Sequence, residues 1–305
     1  MNDVAQDNTA GQGRLPFGVR MHAAMGEFGP LCVGIDPHPH LLAEVCLPDS
    51  PAGIERFAQA ILEAVGGRVA AIKPQSAFFE RHGSAGIAVL ERLLTNSASA
   101  GTISILDVKR GDIGSTMTAY AQAYLLDGAP LATDAVTLSP YLGYEALRPG
   151  IDMARAHGRG VFVLALTSNP EGASVQRQGQ PSVAARMIQH VSSDNDRSFD
   201  ARGLDVPGDA ESTPGDVGLV IGATRADALS ELNLLGLLRS SRAIVLAPGV
   251  GAQGATPADV AAAFVGHTSY VLAPVSRGVL AQGIGVQAIR SASAALGSAL
   301  TEALR

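Results

Sequence analysis

Three charged side chains lie close together in the sequence where an apolar run ends. Asp107, Lys109 and Asp112 follow residues 102–105, whose apolar character is typical of a buried strand. Because side chains alternate between the two faces of a strand, Asp107 and Lys109 are predicted to point the same way, with Asp112 just past the strand end. An ammonium pressed between carboxylates is typical of a catalytic site, since such groups shift one another's pKa values. A structural ion-pair network has the same composition, so both interpretations stay open for this stretch alone.

Eight short apolar runs alternate with segments of helical periodicity from residue 17 onward. The runs begin at Leu31, Val69, Thr102, Ala135, Gly160, Val217, Ala243 and Tyr270. Continuous apolar runs are typical of parallel strands that are buried on both faces. Eight strand–helix units over 305 residues therefore predict an α/β fold, a single-domain (β/α)8 TIM barrel. An open doubly wound sheet is the alternative, but no Gly-x-Gly-x-x-Gly motif follows the first strand.

Polar residues recur at the ends of these predicted strands. Barrel enzymes carry their chemistry at the carboxyl ends of the strands, which meet at one face. The polar residues and glycines at these ends are Asp36, Lys73, Asp107, Lys109, Asp112, Ser168, Gly251 and Arg277. A packed core would not place polar groups at so many equivalent positions, so their recurrence favours the catalytic interpretation of the cluster.

Two glycine-containing loops predict a phosphate site. Residues 248–254 follow the seventh strand and residues 276–278 follow the eighth, and these loops often bind phosphate in barrels. Glycines such as Gly251 let main-chain N–H groups approach an anion, a following helix N-terminus favours it, and Arg277 can donate to two phosphate oxygens. Two tight turns and a surface arginine are the simpler alternative. We expect a phosphate ester whose reacting end lies over the second and third strands.

Composition argues against several other classes of protein. A net charge of -6 and a pI of 5.6 disfavour nucleic acid as a partner, because phosphate backbones need a basic surface. No apolar run is long enough to span a membrane, and the polar N-terminus has no signal-peptide core. With only two cysteines, a cytoplasmic protein is predicted. No cluster of histidine, cysteine and carboxylate residues has metal-ligand spacing, so no metal site is predicted.

The predicted barrel covers residues 15–305 and follows a disordered tail over residues 1–14. One polar, turn-rich segment, residues 193–216, interrupts the alternation of strands and helices. It follows the fifth barrel helix, so we expect a surface loop or disordered insertion on the face away from the site. The loop over residues 169–180 lies on the active face and is the candidate lid.

The motif that starts at Asp107 resembles the Asp-x-Lys-x-x-Asp-Ile signature of the orotidine 5′-phosphate decarboxylase family. Residues 247–254 are similar to the phosphate loop of that family, and the resemblance extends over essentially the whole chain. Residues 71–75 and 167–170 look most like the longer bacterial branch of the family. The eighth strand departs from the family pattern, because residues 273–277 stand in place of the common Val-Gly-Arg.

The resemblance implies decarboxylation of orotidine 5′-phosphate to UMP, in de novo pyrimidine biosynthesis, by a homodimer that needs no cofactor. Lys109 would donate a proton to C6 of the pyrimidine, and Asp107 would lie beside the substrate carboxylate. Lys73 and Asp112 would complete a chain of alternating charges. Asp112 and Thr116 would reach into the site of the partner subunit.

The same resemblance implies how the substrate is held. Asp36 and Lys73 would bind ribose hydroxyls, and Ser168 would meet the pyrimidine edge. Gln253 and Arg277 would bind the phosphate.

Two other functions remain open on the sequence alone. One is a Mg-dependent sugar-phosphate decarboxylase or aldolase of the same barrel superfamily, whose core motif looks similar. The other is a non-catalytic nucleotide-binding barrel, which has no need of a charge cluster at the reacting end.

Overall fold

The computed structural model of the protein describes residues 14–202, 213–251 and 253–305. Residues 1–13 of the predicted tail lie outside this range, as do residues 203–212 of the predicted insertion. Arg14, the last residue of the predicted tail, donates a hydrogen bond to Asp127 at 3.3 Å.

Eight parallel strands close into a barrel in which each strand pairs with the next and the first pairs with the last. The strands are β1 (Leu31–Ile35), β2 (Ala71–Pro74), β3 (Ile103–Arg110), β4 (Ala135–Leu138), β5 (Gly160–Leu166), β6 (Val217–Ile221), β7 (Val245–Leu246) and β8 (Val271–Val275). The predicted (β/α)8 barrel is therefore confirmed.

Helices separate the strands and cover the outside of the barrel. They are α1 (Phe17–Phe28), α2 (Pro39–Glu44), α3 (Pro51–Val65), α4 (Ala77–Glu80), α5 (Gly83–Ser99), α6 (Gly114–Leu125), α7 (Arg148–Ala156), α8 (Ala173–Gln176), α9 (Val183–Arg202), α10 (Ala226–Glu231), α11 (Leu234–Ser240), α12 (Pro257–Ala263) and α13 (Val286–Leu304). None of the helices in the described part of the chain is long and apolar enough to cross a membrane.

The amino end of the barrel is closed by α1. Phe17 and Met21 of this helix belong to the apolar cluster that fills the barrel interior. The Phe17 ring packs edge-on against Phe162, with ring centroids 5.8 Å apart. A Cβ at Gly160 would lie 2.2 Å from that ring, so the contact requires glycine at this position. With its amino end filled, the barrel is open at the carboxyl ends of the strands, where the polar residues lie.

The predicted surface loop differs from the structure at its start, because α9 continues to Arg202 instead of ending near Ser192. Two of the polar residues that suggested a loop, Asp194 and Asn195, are buried and hydrogen-bonded. Asn195 donates to the carbonyls of Val217 and Ser241 at 3.0 and 2.9 Å. A helix face that meets strand ends needs such polar groups, so polarity here does not indicate exposure.

Asp194 makes a second set of buried contacts on the same turn of α9. It accepts hydrogen bonds from Tyr144 at 2.7 Å and from Arg148 at 3.0 Å. These contacts tie α9 to the segment that follows β4.

The helical periodicity of residues 225–238 predicts one helix between β6 and β7, but the structure has two. Asn233 adopts φ +52° and separates α10 from α11. Asparagine tolerates this left-handed conformation better than most residues, so it ends one helix and begins the next.

His267 is buried in the segment between α12 and β8, and we expect it to make the protein sensitive to mild acid. Its Nε2 lies 2.8 Å from the Ala243 carbonyl. Burial, with a smaller contribution from Arg239, lowers the pKa of His267 to about 4. Protonation therefore favours the unfolded state as the pH falls below about 6.5, and the cost approaches about 3 kcal/mol near pH 4.

The measurement is urea denaturation of the wild-type protein and of His267→Gln at pH 7 and pH 5. Glutamine keeps an amide donor for Ala243 but does not titrate, so the variant should lose less stability between the two pH values. If both proteins lost the same unfolding free energy between pH 7 and pH 5, His267 would not be the source of the acid sensitivity.

Candidate active site

An irregularity in β3 brings two charged side chains to the same point. The register of β3 against β4 shifts between Leu106 and Arg110, and Lys109 adopts φ +46°. A left-handed backbone is uncommon for lysine and is often found at functional sites where the surroundings hold it. The Lys109 Nζ lies 2.6 Å from Asp107 Oδ1. The alternation of side chains along a strand thus correctly predicts that Asp107 and Lys109 lie on the same face of β3. The distorted backbone at Lys109 then brings their charged groups into contact.

Asp107 lies at the centre of the cluster and accepts four side-chain hydrogen bonds. Its Oδ2 accepts from Lys73 Nζ at 3.3 Å and from Gln75 Nε2 at 2.9 Å. Its Oδ1 accepts from Lys109 Nζ at 2.6 Å and from Thr137 Oγ1 at 2.8 Å. Asp107 is only 7% exposed, and these donors compensate for the loss of water around its charge.

The buried members of the cluster stay charged at neutral pH. Burial acts to raise the pKa of Asp107, but the charges of Lys73 and Lys109 outweigh it and lower that pKa to about 2. Burial likewise acts to lower the pKa of Lys73, and the nearby Asp36 and Asp107 carboxylates raise it above its ordinary value. Lys73 Nζ is 3.8 Å from Asp36 Oδ1. Asp36, Lys73, Asp107 and Lys109 therefore form one chain of alternating charges.

These two lysines are the only ones in the sequence. The chain has 22 lysine and arginine residues, and all except Lys73 and Lys109 are arginine. An arginine guanidinium holds its proton under all ordinary conditions, whereas a lysine ammonium can release one. Lysine, the strongly basic residue type that can give up its proton, thus occurs in this sequence only at these two positions of the cluster.

A cavity of about 530 Å³ opens above the cluster at the carboxyl ends of the strands. Of the residues predicted for the site, those that line it are Lys73, Asp107, Lys109, Ser168 and Gln253. Leu164, Val220, Leu246 and Pro274 add apolar wall. The Lys109 side chain is 46% exposed at this opening. The cavity therefore places a charged floor opposite apolar surfaces, an arrangement that suits a flat ring with a polar reacting end.

Ser168 is held at the end of β5 by residues from the neighbouring loops. Its carbonyl accepts a hydrogen bond from Arg225 at 2.6 Å. In the candidate lid, Gln176 accepts the main-chain N–H of Thr167 at 2.9 Å. These bonds fix the strand end against the lid and the loop after β6.

The predicted phosphate loop is folded on itself in the structure. Gly251 has φ +72°, and its N–H donates to the Ala255 carbonyl at 2.8 Å, so this N–H does not point freely towards an anion. The N-terminus of α12 is also occupied, because Thr256 and Asp259 form a capping box there. An anion-binding role of Gly251 and of this helix N-terminus therefore stays a prediction. Arg277 begins the turn after β8 and is exposed.

Asp112 and Thr116 do not join the cluster within the chain. Asp112 Oδ1 accepts the N–H of Ile113 at 2.8 Å, and Thr116 is exposed on α6. Asp112 therefore does not contact Lys109 of its own chain, because the chain turns away after β3. Ile113 beside them is 62% exposed, which is unusual for an isoleucine.

Sequence spacing does not identify Thr137 or Gln75, although both contact Asp107. Thr137 is the one polar residue within β4, and Gln75 follows the last residue of β2; a polar residue at the carboxyl half of an apolar strand is the signal that could have indicated them. No group of three or more His, Cys, Asp or Glu side chains within the described ranges could hold a metal ion.

The closed barrel with a charged cluster at the carboxyl ends of its strands defines a (β/α)8-barrel enzyme. Residues 29–292 match the model of the orotidine 5′-phosphate decarboxylase / HUMPS family, and the chain belongs to that family. The orotidine 5′-phosphate decarboxylase of Streptomyces coelicolor is 50% identical over 282 residues, which are 91% of this chain and 94% of the relative. That of Salinispora arenicola is 52% identical over 281 residues, again 91% and 94% of the two chains.

A solved structure agrees with this assignment. The crystal structure of a Streptomyces avermitilis protein assigned as orotidine 5′-phosphate decarboxylase superposes with a TM-score of 0.87 at 47% identity. The match covers 97% of this chain and 98% of that one. The resemblance of the motif at Asp107 is therefore confirmed.

Proposed function

We propose that the protein decarboxylates orotidine 5′-phosphate to UMP and is a carbon–carbon lyase of pyrimidine biosynthesis. The single observation that carries the proposal is the contact between Lys109 and Asp107 at the floor of the cavity. Relatives that are about half identical over most of the chain bear this name, which supports the same substrate. A cytoplasmic location belongs to the proposal, because a charged nucleotide does not cross membranes unaided.

The proposed reaction relies on the ammonium of Lys109. The bond between C6 and the carboxylate breaks, CO₂ leaves, and the electron pair stays on C6 in the plane of the ring, where the π-system cannot accept it. A fixed ammonium beside C6 stabilises this charge and then donates the proton that forms the new C–H bond. Lys109 is left neutral and regains a proton from water. The proposed step uses no cofactor.

The remaining side chains bind the substrate in this proposal. Asp36 lines a cavity beside Lys109, and in this proposal its carboxylate accepts a hydrogen bond from a ribose hydroxyl. Lys73 assists it, and Ser168 meets the pyrimidine edge. Gln253 and Arg277 hold the phosphate, and binding at that remote end helps to position the reacting carbon.

We test the proposal by adding orotidine 5′-phosphate to the purified protein and following the ring absorbance. Equal amounts of UMP and CO₂ should form, and activity should survive exhaustive chelation of Mg²⁺. Loss of activity on chelation would favour the sugar-phosphate class. Tight UMP binding without any turnover would favour a non-catalytic barrel.

A homodimer with shared sites is the second part of the proposal. Asp112 and Thr116 lie outside the cluster of their own chain, on the segment that carries the exposed Ile113. Tyr141 and Leu142 after β4 are also exposed, and apolar surface of this kind is typical of an interface.

A second cavity of about 500 Å³ gives the partner a place to bind. It lies beside Lys109 and is lined by residues of β3, the end of β2 and α4, among them Gln75, Ser76 and Arg110. The proposed occupant is the loop that carries Asp112 of the second copy, whose carboxylate would face Lys73 and Lys109.

Mixed dimers test this arrangement. Lys109→Ala and Asp112→Ala should each be almost inactive alone, because each damages both sites of its own dimer. When the two variants are unfolded together and refolded, about a quarter of wild-type activity should return, since half of the dimers carry one intact site. The control mixes Lys109→Ala with Asp107→Ala. Both residues belong to the same chain's part of a site, so every site of the mixed dimer is damaged and no activity should return. No recovery in the first mixture would contradict shared sites.

A further inference from the structure

Thr137 connects the backbone and the side chain of Lys109. It lies on β4 and is buried, with 1% of its surface exposed. Its hydroxyl accepts the main-chain N–H of Lys109 at 2.9 Å and donates to Asp107 Oδ1 at 2.8 Å. The same Asp107 oxygen accepts the Lys109 ammonium at 2.6 Å. Three residues thus form a closed ring of hydrogen bonds that starts and ends on Lys109.

The ring forms at the irregular part of β3. The register between β3 and β4 shifts there, and the left-handed conformation at Lys109 turns its N–H towards the β4 side chain. A β-branched threonine has a restricted χ1 angle, so its hydroxyl keeps one direction. The hydroxyl therefore fixes both the unusual backbone and the oxygen to which the ammonium binds.

The two oxygens of Asp107 divide the cluster into separate parts. Oδ2 is bonded to Lys73 and Gln75, whereas Oδ1 is bonded to Lys109 and Thr137. Loss of the Thr137 hydroxyl would leave the Oδ2 contacts intact and would loosen only the Lys109 side of the carboxylate. Lys109 is also the more exposed lysine, so it has more freedom to move when this support is lost.

We propose that Thr137 is a positioning residue that directs the Lys109 ammonium towards the reacting carbon. The inference rests on the proposed decarboxylation, and Thr137 itself does not act on the substrate. Its role differs from a purely structural one, because it affects the chemical step and leaves nucleotide binding alone.

The test compares Thr137→Val, which has the same shape without the hydroxyl, with Thr137→Ser, which keeps the hydroxyl. We expect kcat for orotidine 5′-phosphate to fall about 100-fold in the valine variant, because a small misplacement of a catalytic group has an effect of this size. KM and the binding of UMP should stay close to wild type, and serine should restore most of kcat. If the valine variant fails to fold, Thr137→Ala replaces it, with folding checked by thermal denaturation.

Crystal structures of wild type and Thr137→Val give a readout that does not depend on activity. The Lys109 ammonium should leave Asp107 Oδ1 in the variant, while the bonds of Lys73 and Gln75 to Oδ2 remain. An unchanged kcat, an effect on KM alone, a serine variant as weak as valine, or an unmoved Lys109 would each overturn the proposal. Absence of turnover in the wild type would instead reject the decarboxylase function, and the crystal structures would still test the positioning.

Discussion

Replacement of Lys109 by alanine is expected to lower kcat for orotidine 5′-phosphate by about 10,000-fold or more, because one group supplies both the proton and the stabilising charge. The affinity for UMP should change much less, since the proposed ribose and phosphate contacts involve other residues. The measurement is the rate of absorbance loss under saturating substrate, with UMP binding followed by calorimetry. Near-normal turnover in this variant would contradict the account.

Lys109→Arg is the matched control for the proton itself. Arginine keeps a positive charge at this position but cannot release its proton, so the variant should remain at least about 1,000-fold below wild type. A variant that recovered activity to within about 10-fold would show that charge alone is sufficient. The restriction of lysine to positions 73 and 109, in a chain that otherwise uses arginine, is consistent with a need for a transferable proton.

Replacement of Arg277 by alanine is expected to raise KM for orotidine 5′-phosphate about 100-fold, because hydrogen bonds between charged groups are among the strongest in binding sites. For orotidine without its phosphate, the variant should have nearly the same kcat/KM as wild type, since this substrate has no group for the arginine to bind. The measurement is kcat/KM for both substrates with wild type and variant. An equal fall in kcat/KM for the two substrates would contradict phosphate binding by Arg277.

Arg290→Ala is a suitable control for that experiment. This arginine lies on α13 and donates to the Ala64 carbonyl at 3.3 Å, so its loss removes a positive charge without touching the cavity above the cluster. Its KM for orotidine 5′-phosphate should remain near the wild-type value. The comparison separates a specific phosphate contact from the effect of one positive charge fewer on the protein.

The fold could be predicted well because its signal is repeated. Eight apolar runs alternate with helical segments. The periodicity of residues 17–28 and 286–304 predicts helices over those ranges, and α1 and α13 have these bounds. The prediction is wrong where polar residues serve buried contacts. Asn195 is the clearest case, because its side chain bonds two carbonyls that lie far away in the sequence.

The site could be predicted only in part, for a related reason. Lys73, Asp107 and Lys109 mark strand ends, so their meeting follows from the barrel geometry. Thr137 is a single polar residue in an apolar strand, and its partner depends on the shifted register of β3. The N–H of Gly251 is satisfied within its own loop, which no composition rule predicts. Asp112 has its proposed partners in a second copy, so spacing within one chain cannot identify them.

The most direct test of the central claim is a crystal structure of the protein with a UMP-like inhibitor that carries a polar group at C6. We predict that the nucleotide occupies the cavity above β2 and β3, with Lys109 Nζ within hydrogen-bond distance of that group. We also predict that Asp107 keeps its bonds to both lysines. A nucleotide bound elsewhere, or a Lys109 ammonium that points away from C6, would contradict the account.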